Sequence, residues 1–500
     1  MLQVPEEINL NTLREAILRA ELKALTEETI AMNKYRAYFE GDQPLVYSTE
    51  NFKLVFGAAF EGFVDNWCEV VINATNNRLE ITGFNFDEDD DFTVANQIWD
   101  VFKRNEMDEQ QEDLHEGVLV EGRAFAIVWT DDEIGATIDW QPGQLCRVFY
   151  DPERRTQAKW AVKRWEVETG EVYVTFYTPD AVYKFVDNST STGSTNDRPS
   201  SSSALTEIPG VGYFGSLEQR TVEGETWPLK NPFGKVPVVE FNNTSYRSEI
   251  KGTIPQQDAL NKTLLDMMVT SEFQAMKQRV VETMASEPVG GWKASPGEVW
   301  QFPPSFDSDG KHIPSQFTAF EASDPSTYMR PIEMWLQHMA LTSSTPVRYF
   351  MQSDRGGRGD SPSGDSLLVD DKPLNDKVES KQKRLGNRWI EVARLVAQAL
   401  QVEDAAGLVG EPVWKDPRHD YRLSTLLEGK AMIDIGVPLE FVVTQLGFTP
   451  AETTMVLEMI EKEKVEAEAK EQAQLDAQES NAEAVSRTNS TGGNVDAPSV

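Results

Sequence analysis

Cysteine and histidine are scarce in this chain of 500 residues, which has two cysteines and four histidines. Two cysteines are too few for a disulfide framework. Cys68 and Cys146 lie among apolar residues and are predicted to be buried thiols in a reducing compartment. The histidines show no metal-ligand spacing such as HExxH, so structural roles are predicted for them. Neither a metal nor a cofactor is expected.

Long apolar runs and basic residues are also in short supply. No stretch approaches the ~20 apolar residues of a membrane-spanning helix, so no membrane partner is expected. Against 82 Asp and Glu stand 47 Lys and Arg, giving a formal net charge of −35. Tight or sequence-specific DNA binding is disfavoured, because Lys and Arg supply most of the affinity for phosphate. An acidic surface suits a conduit that does not grip its cargo, and equally an acidic enzyme.

Motifs that carry catalysis are missing as well. The chain has no GxxxxGK[ST] loop, which an ATPase motor would need, and no GxSxG nucleophile elbow. The run Asp87–Asp91 begins like a calcium loop, but Phe92 replaces the required glycine and Ile98 the bidentate glutamate. No pair of carboxylates stands out as a general acid and base. No catalytic residue is assigned, and the chain is predicted not to be an enzyme.

Apolar periodicity predicts an α+β chain. Helical spacing covers residues 9–39, 54–72, 92–104 and 107–120, with an extended segment at 78–86. From Gly122 the period changes to two, and six segments up to residue 186 are predicted to be successive strands of one antiparallel sheet. This sheet closes at residues 228–243. The polar segment Asp187–Ala204 is too hydrophilic to offset its ordering entropy and is predicted to be a mobile loop.

Between Gly252 and Trp389 the pattern predicts two helices that flank a non-helical excursion, then a loop and a long helix. These segments are a helix at 252–285, the excursion at 286–327, a helix at 328–345, a loop at 346–364 and a polar helix at 365–402. The first helix has an apolar side but no core of its own. It therefore packs either on neighbouring subunits or as a hairpin within a monomer.

Aromatic residues are dense in the excursion, amid proline and glycine. This density is too high for a solvated loop and predicts a small β-rich unit. The unit either packs within the chain or offers a contact surface, and its aromatic residues are Trp292, Trp300, Phe302, Phe306, Phe317 and Phe320.

Basic residues concentrate beyond the excursion. The loop at 346–364 carries Arg348, Arg355 and Arg358 among glycines and serines, and is either a DNA-contacting loop or a disordered surface loop. A denser basic cluster follows on the long helix, at Lys377, Lys381, Lys383, Arg384 and Arg388. That cluster either faces DNA or, as we favour, pairs with the acidic surface of a neighbouring subunit.

Several strings resemble, in order, the portal proteins of tailed bacteriophages, in particular those of siphophages. They are YRAYFEGDQP, NRLEITGF, GVLVEGRAFAIVW, NPFGKVPVVEFNN, GTIPQQDALNKTLLDMMVTSEF, TPVRYF, SGDSLLVDDKPLNDKVESKQKRLGNRW, VWKDPRHD and DIGVPLEFVVTQLGFTPAE. None of these strings is a strict motif, but they follow the order of the family and the similarity spans roughly residues 30–465.

The resemblance implies a portal fold: an α/β wing, a helical stem, a small β-rich clip and an α-helical crown, arranged in a cyclic ring. The expected divisions are the wing at 1–250, stem helix 1 at 251–285, clip at 286–327, stem helix 2 at 328–345, tunnel loop at 346–364, long wing helix at 365–402, crown at 403–475 and a disordered tail at 476–500.

The resemblance also implies a function. A ring of about twelve subunits would form the channel for double-stranded DNA at one capsid vertex, during packaging and ejection. Its partners would be the terminase large subunit, a head–tail adaptor protein, the major capsid and scaffolding proteins, and DNA bound without sequence specificity. The protein would reside in the virion and, during assembly, in the host cytoplasm.

Site residues follow from the same resemblance. Arg348, Arg355 and Arg358 would contact DNA, and the aromatic residues of the excursion would form the clip interface. The basic residues expected to face the channel or a neighbouring subunit are Lys262, Lys277, Arg279, Lys377, Lys381, Lys383, Arg384 and Arg388. Two alternatives remain: another virion component of the capsid or tail, and an acidic soluble hydrolase.

Overall fold

The computed structural model describes most of the chain. The described residues are 18–44, 63–87, 89, 92–187, 217–275, 279–282, 302–313, 316–319, 324–351, 364–417, 429–439, 442–443, 457, 459–460 and 462. Among them, no helix has the length and apolar character needed to cross a membrane. No cluster of three or more metal-binding side chains occurs within that part of the chain.

Long helices and short strands build the described part of the chain. The principal helices are α1 (Leu18–Glu40), α2 (Cys68–Asn76), α3 (Thr93–Arg104), α4 (Met107–Glu121), α5 (Ile254–Ala275), α6 (Met329–Ser343) and α7 (Gly364–Ala399). The strands are β1 (Ile81–Phe86), β2 (Arg123–Asp131), β3 (Gly135–Pro142), β4 (Cys146–Tyr150), β5 (Ala158–Glu166), β6 (Val172–Tyr177), β7 (Ala181–Asp187), β8 (Leu217–Gln219), β9 (Leu229–Lys230), β10 (Val238–Asn242), β11 (Arg279–Glu282), β12 (Ser305–Phe306), β13 (His312–Ile313), β14 (Gln316–Ala319) and β15 (Gly410–Trp414).

The predicted single sheet is in fact two antiparallel sheets that divide between β3 and β4. One has the order β10-β2-β3, and the other the order β4-β5-β6-β7-β8 with β9 beside β7. The division follows from β2, which is buried on both faces. Its small residues, such as Ala124 and Ala126, face the helices, whereas Phe125 and Ile127 pack against Val148 and its neighbours on β4.

The main core forms around α7, which lies against β2, β10 and β15. Trp389 is fully buried on this helix and packs edge-on against Phe241 and Phe102, with ring centroids 4.8 and 5.4 Å away. A buried indole N–H needs a hydrogen-bond acceptor. Nε1 of Trp389 donates to Nε2 of His115 at 2.9 Å. Trp389 therefore connects α7 to α3 through Phe102, to β10 through Phe241 and to α4 through His115.

His115 has the structural role that its isolation in the sequence predicts. Its Nδ1 lies 3.0 Å from the carbonyl oxygen of Leu79. Because Nε2 accepts from Trp389, Nδ1 carries the proton and donates to Leu79. Complete burial lowers the pKa of His115 to about 4, so the ring is neutral at physiological pH.

Two amide side chains cover the open edges of strands. The Asn105 side chain accepts from the backbone N–H of Ile138 at 2.9 Å and donates to the carbonyl of Ala136 at 2.9 Å, on β3. Gln111 does the same for Ile81 on β1, accepting at 2.8 Å and donating at 3.3 Å. Each amide acts as a substitute peptide group and blocks further strand pairing at that point.

The predicted first stem helix is shorter than expected. The helix α5 ends at Ala275, and residues 279–282 form β11, which pairs antiparallel with β14. The sequence RVVE there favours a strand, since Val280 and Val281 are β-branched. The boundary predicted at residue 285 is therefore wrong, and a short ladder joins the two ends of the excursion.

Other predictions have mixed outcomes. The strand at 81–86 and the helices at 93–104, 107–121 and 364–399 confirm the periodicity. Cys68 and Cys146 are free and buried, as predicted. Gly436 ends a helical turn with φ of +91°, and the N–H of Val437 donates to Met432 at 3.0 Å, which is a Schellman cap. The predicted loop from residue 188 onward, most of the crown and the tail lie outside the described residues.

Candidate assembly and channel surfaces

Helices α5 and α6 pack together, and each is divided into an inner and an outer half. The inner halves bury Leu260 and Leu265 of α5, and Leu336 and Met339 of α6. In the outer halves, residues 266–271 and 329–335, no side chain is fully buried. Met329 and Met334 are large apolar side chains that remain exposed there. Ile332 and Trp335 pack against the core, whereas Met329 and Met334 form apolar surface that the subunit itself leaves exposed.

Polar side chains fix the inner end of α5 to the body, which we define as α1–α4, α7, β1–β3, β10 and β15 around the main core. The Gln257 side-chain oxygen accepts from the backbone N–H of Trp67 at 2.9 Å, and that of Asn261 accepts from Asp65 at 3.1 Å. The hydroxyl of Tyr38 donates to Asp258 at 2.7 Å. Burial raises the pKa of this carboxyl. These directional contacts attach the inner turns of α5 to the body.

A charged cluster lies where the helix pair meets α7. Glu249, in a 3-10 turn just before α5, has its Oε2 3.3 Å from Nζ of Lys377. Lys381 binds the other carboxylate oxygen and also Oδ1 of Asn243. Burial alone would raise the pKa of Glu249, but the two ammonium groups hold it at about 2. We call Glu249, Lys377, Lys381 and Asn243 the root cluster.

Lys377 and Lys381 have a different environment from the one predicted for them. The resemblance implies that Lys377 and Lys381 face the channel or a neighbouring subunit. Lys381 is only 7% exposed, and both lysines bind a carboxylate of their own chain. Burial lowers the pKa of Lys377, while Glu249 opposes that change. An ammonium group enclosed in this way cannot line a channel, so for these two residues the expectation is wrong.

The other predicted basic residues occupy different environments. Arg388 is half-buried and pairs with Glu391 at 2.9 Å on the same helix. Lys262 pairs with Asp266 one turn along α5. Lys383 and Arg384 are exposed, and within the described part of the chain neither makes an ion pair. Lys277 and the side chain of Arg279 lie outside the described residues.

Arg348 is fixed at the start of the predicted tunnel loop. It lies in a 3-10 turn, with Nη2 2.5 Å from Oδ1 of Asp371 on α7. Asp371 is buried, and a second guanidinium, that of Arg78, lies 3.8 Å from its other oxygen. Arg78 also donates to the hydroxyl of Tyr349 at 2.8 Å. Arg348 is thereby an anchor of the loop, whereas Arg355 and Arg358 lie outside the described residues.

Only part of the predicted clip interface is described. Phe306 is 60% exposed on β12, and its ring is edge-on to that of His312 on β13, with centroids 5.8 Å apart. Phe302 is half-buried. Phe317 lies on β14, but its side chain is outside the described part. Trp292, Trp300 and Phe320 are also outside it. The predicted interface formed by the six aromatic residues therefore stays a prediction.

The sequence of α7 contains a pattern that indicates its buried ions, namely charged residues within an apolar stripe. Leu374, Val378, Leu385 and Trp389 form an apolar stripe along α7 and are all buried. Asp371 and Lys381 fall within the same stripe at helical spacing. A charged residue inside an apolar stripe indicates a buried ion pair, because isolated charges are rarely buried.

The sequence matches one family over most of its length. A family model described as "Phage portal protein, SPP1 Gp6-like" matches residues 22–482, and the chain belongs to this family. Its members are structural proteins of the virion and not enzymes. Among curated proteins, none matches the chain significantly in sequence.

Solved structures that match the chain come from gene transfer agent particles. A chain of the neck of an empty particle, computed with C6 symmetry, is 10% identical with a TM-score of 0.42, covering 81% of this chain and 95% of its own. A chain of the native virion and one of the native neck, computed with C12 symmetry, are also 10% identical with TM-scores of 0.40. They cover 85% and 83% of this chain, and 99% of their own. At this level of similarity the family model alone carries the assignment.

Proposed function

We propose that this chain is one subunit of a ring of about twelve copies with cyclic symmetry, forming the channel for double-stranded DNA at a capsid vertex. The observation that carries the proposal, within the portal family, is the α5–α6 pair. Its outer half exposes Met329 and Met334 and buries no side chain of its own. Neighbouring copies of the pair would cover this surface and enclose the channel.

The charges support a conduit that holds DNA weakly. The net charge is −35, and Lys377, Lys381, Arg388 and Arg348 are bound to carboxylates of their own chain. These cations are not free to replace counterions on phosphate, so they add little to DNA affinity. Contacts with DNA would be left to Arg355 and Arg358. Lys383 and Arg384 would face DNA or the adjacent subunit.

The remaining parts have roles in this proposal. The sheets and helices before residue 250 form the wing, the α5–α6 pair the stem, and the unit bounded by β11 and β14 the clip. The exposed ring of Phe306 suits a surface that docks the terminase motor and later a head–tail adaptor. Capsid and scaffolding proteins would contact the wing. The subunit would be in the host cytoplasm during assembly and in the virion afterwards.

Native mass and shape test the proposal directly. About twelve copies of the 56.2 kDa chain amount to about 674 kDa. Light scattering should give a mass near this value, and negative-stain images should show annuli with a central hole. Compact particles of that mass without a hole would favour another virion component. A chain that stays monomeric when concentrated, with scaffolding protein present, would favour the soluble enzyme.

The tunnel loop permits a second experiment. Neutralising Arg355 and Arg358 to Gln should leave the ring intact but reduce DNA packaging or retention. Arg348 is left unchanged, because its removal would leave the buried carboxylate of Asp371 without its nearest cation. The resulting loss of stability would confound the result. Packaging at the normal level by this double variant would remove the loop from the mechanism.

A further inference from the structure

The root cluster joins both inner ends of the stem pair to α7. Glu249 ends the connection from β10 and precedes α5 by a single 3-10 turn. Ser343 is the last residue of α6, and its carbonyl oxygen accepts from Nζ of Lys377 at 3.1 Å. The same ammonium group lies 3.3 Å from the carboxylate of Glu249. One side chain of α7 therefore binds the start of the outgoing helix and the end of the returning one.

The cluster is held in place on every side. The Asn243 side chain donates to Oε1 of Glu249 at 2.8 Å and to the carbonyl of Arg247 at 2.7 Å, while its oxygen binds Lys381. Glu249 and Lys377 are 16% and 14% exposed at the side chain, so solvent competes little for these bonds. Three segments that are distant in sequence thus meet in fixed geometry.

Stability alone does not account for such an arrangement. Ion pairs removed from water gain little net stability over apolar residues of similar size. Their geometry is directional, however, and apolar packing would allow the helices to rotate or slide. The cluster holds two ammonium groups against one carboxylate, which is a poor balance of charge for stability but supplies contacts to both helix ends.

We propose that Lys377, with Glu249 as its counter-ion, is a positioning residue that sets the direction in which the α5–α6 pair leaves the body. Removing its ammonium group breaks the contact between Ser343 and α7 while leaving the Glu249–Lys381 pair intact. The orientation of the pair can be measured within a single subunit and does not depend on assembly. Its consequence, that the residue sets the width of the channel, rests on the proposed function.

The test uses Lys377→Met, which keeps the length of the side chain and leaves one carboxylate facing one ammonium group. Two exposed positions, Gln337 on α6 and Glu379 on α7, are changed to cysteine and spin-labelled in the full-length chain. The native thiols, Cys68 and Cys146, are buried and do not compete for the label. Pulsed electron resonance then gives the distribution of distances between the labels.

We expect Lys377→Met to shift or broaden this distribution relative to the labelled parent. Glu121→Gln is the matched control, since Glu121 is a buried carboxylate whose side chain binds Arg36 at 2.8 Å and the N–H of Gly143 at 2.9 Å, and not Lys377 or Lys381. It should lower the urea midpoint without moving the distances. The double variant Glu249→Gln, Lys377→Met should reproduce the broad distribution, because it also lacks the contact with Ser343.

An unchanged distribution in folded Lys377→Met would overturn the proposal, and so would an equal change in Glu121→Gln. If Lys377→Met does not fold, the same comparison is made with Lys377→Arg, whose wider guanidinium should shift the mean distance if the residue sets direction. Ring formation is scored separately by negative stain. Absence of rings from the unaltered chain would count against the proposed function and leave the distance result standing.

Discussion

The body around Trp389 and the outer half of the α5–α6 pair differ in how they satisfy their side chains. In the body, aromatic rings pack on one another, and the indole N–H of Trp389 and both nitrogens of His115 have partners within the chain. In the outer half, none of the described side chains is fully buried, and Met329 and Met334 are exposed. The core around Trp389 satisfies these groups without a second subunit, whereas the outer half leaves both methionines exposed.

The two regions are expected to respond differently to mutation. Residues of the body specify a fold, and their loss should lower the free energy of unfolding. Under the proposed function, exposed residues of the outer half make their contacts with other copies or partners, so their loss should leave the subunit's stability nearly unchanged. Mutations placed in the two regions can test whether the division is as sharp as the burial indicates.

The largest effect is expected for Trp389→Ala. The change removes a fully buried ring that contacts Phe102 and Phe241, and it leaves His115 without its donor. We expect the free energy of unfolding to fall by about 4 kcal/mol, a typical cost for loss of a buried aromatic ring. Urea denaturation followed by circular dichroism measures it.

The matched variant is Trp335→Ala, on α6. Trp335 is only half-buried, so its truncation should cost clearly less than that of Trp389. The inner half of the pair already shares the core of Trp389, so equal losses at the two positions would show that the outer half belongs to it as well.

The second effect concerns the pH dependence of the body. Burial lowers the pKa of His115 from 6.5 to about 4, so the unfolded chain binds a proton that the folded chain refuses between these values. The contribution of neutral His115 to the free energy of unfolding is therefore fully present above pH 6.5 and is lost as the pH falls from 6.5 to 4. The shift corresponds to about 3 kcal/mol, at about 1.4 kcal/mol per pKa unit.

The histidine contribution is isolated by comparison with His115→Gln, which retains a donor and an acceptor but does not titrate. Both proteins are denatured with urea at pH 7, 6, 5 and 4. The difference between their unfolding free energies should shrink toward acidic pH. A difference that stays constant over this range would mean that His115 is protonated or hydrated in the folded state.

Much of the fold was predictable from periodicity, and the reasons for the failures are physical. Alternating residues in β2 and the apolar stripe of α7 correctly predict their elements, since burial imposes a period on a strand or a helix. Period alone does not state which strands pair. Phe125 and Ala126 alternate in size and not in polarity, which was the sign that β2 is covered on both faces.

The candidate site was less predictable than the fold. The sequence identifies Lys377 and Lys381 as cationic, but the charge of a side chain does not indicate its partner. Glu249 lies more than a hundred residues away, and only the tertiary fold brings it to them. Composition predicts a loop at Arg348, whereas its ion pair with Asp371 makes it an anchor. Long-range ion pairs are invisible to local patterns.

The smallest effect on stability is expected in the outer half. The double variant Met329→Ser, Met334→Ser changes side chains that are 52% and 41% exposed. Its unfolding free energy in the isolated subunit should stay within about 0.5 kcal/mol of the parent, the usual range for surface changes. Assembly should suffer, because polar groups would enter an interface that excludes water. Light scattering should show fewer high-mass particles at equal concentration.

Glu333→Ser, an exposed polar position on the same helix, is the control and should assemble like the parent. A double variant that assembles normally would mean that these methionines lie outside the contact, and the outer half would need another partner to cover it.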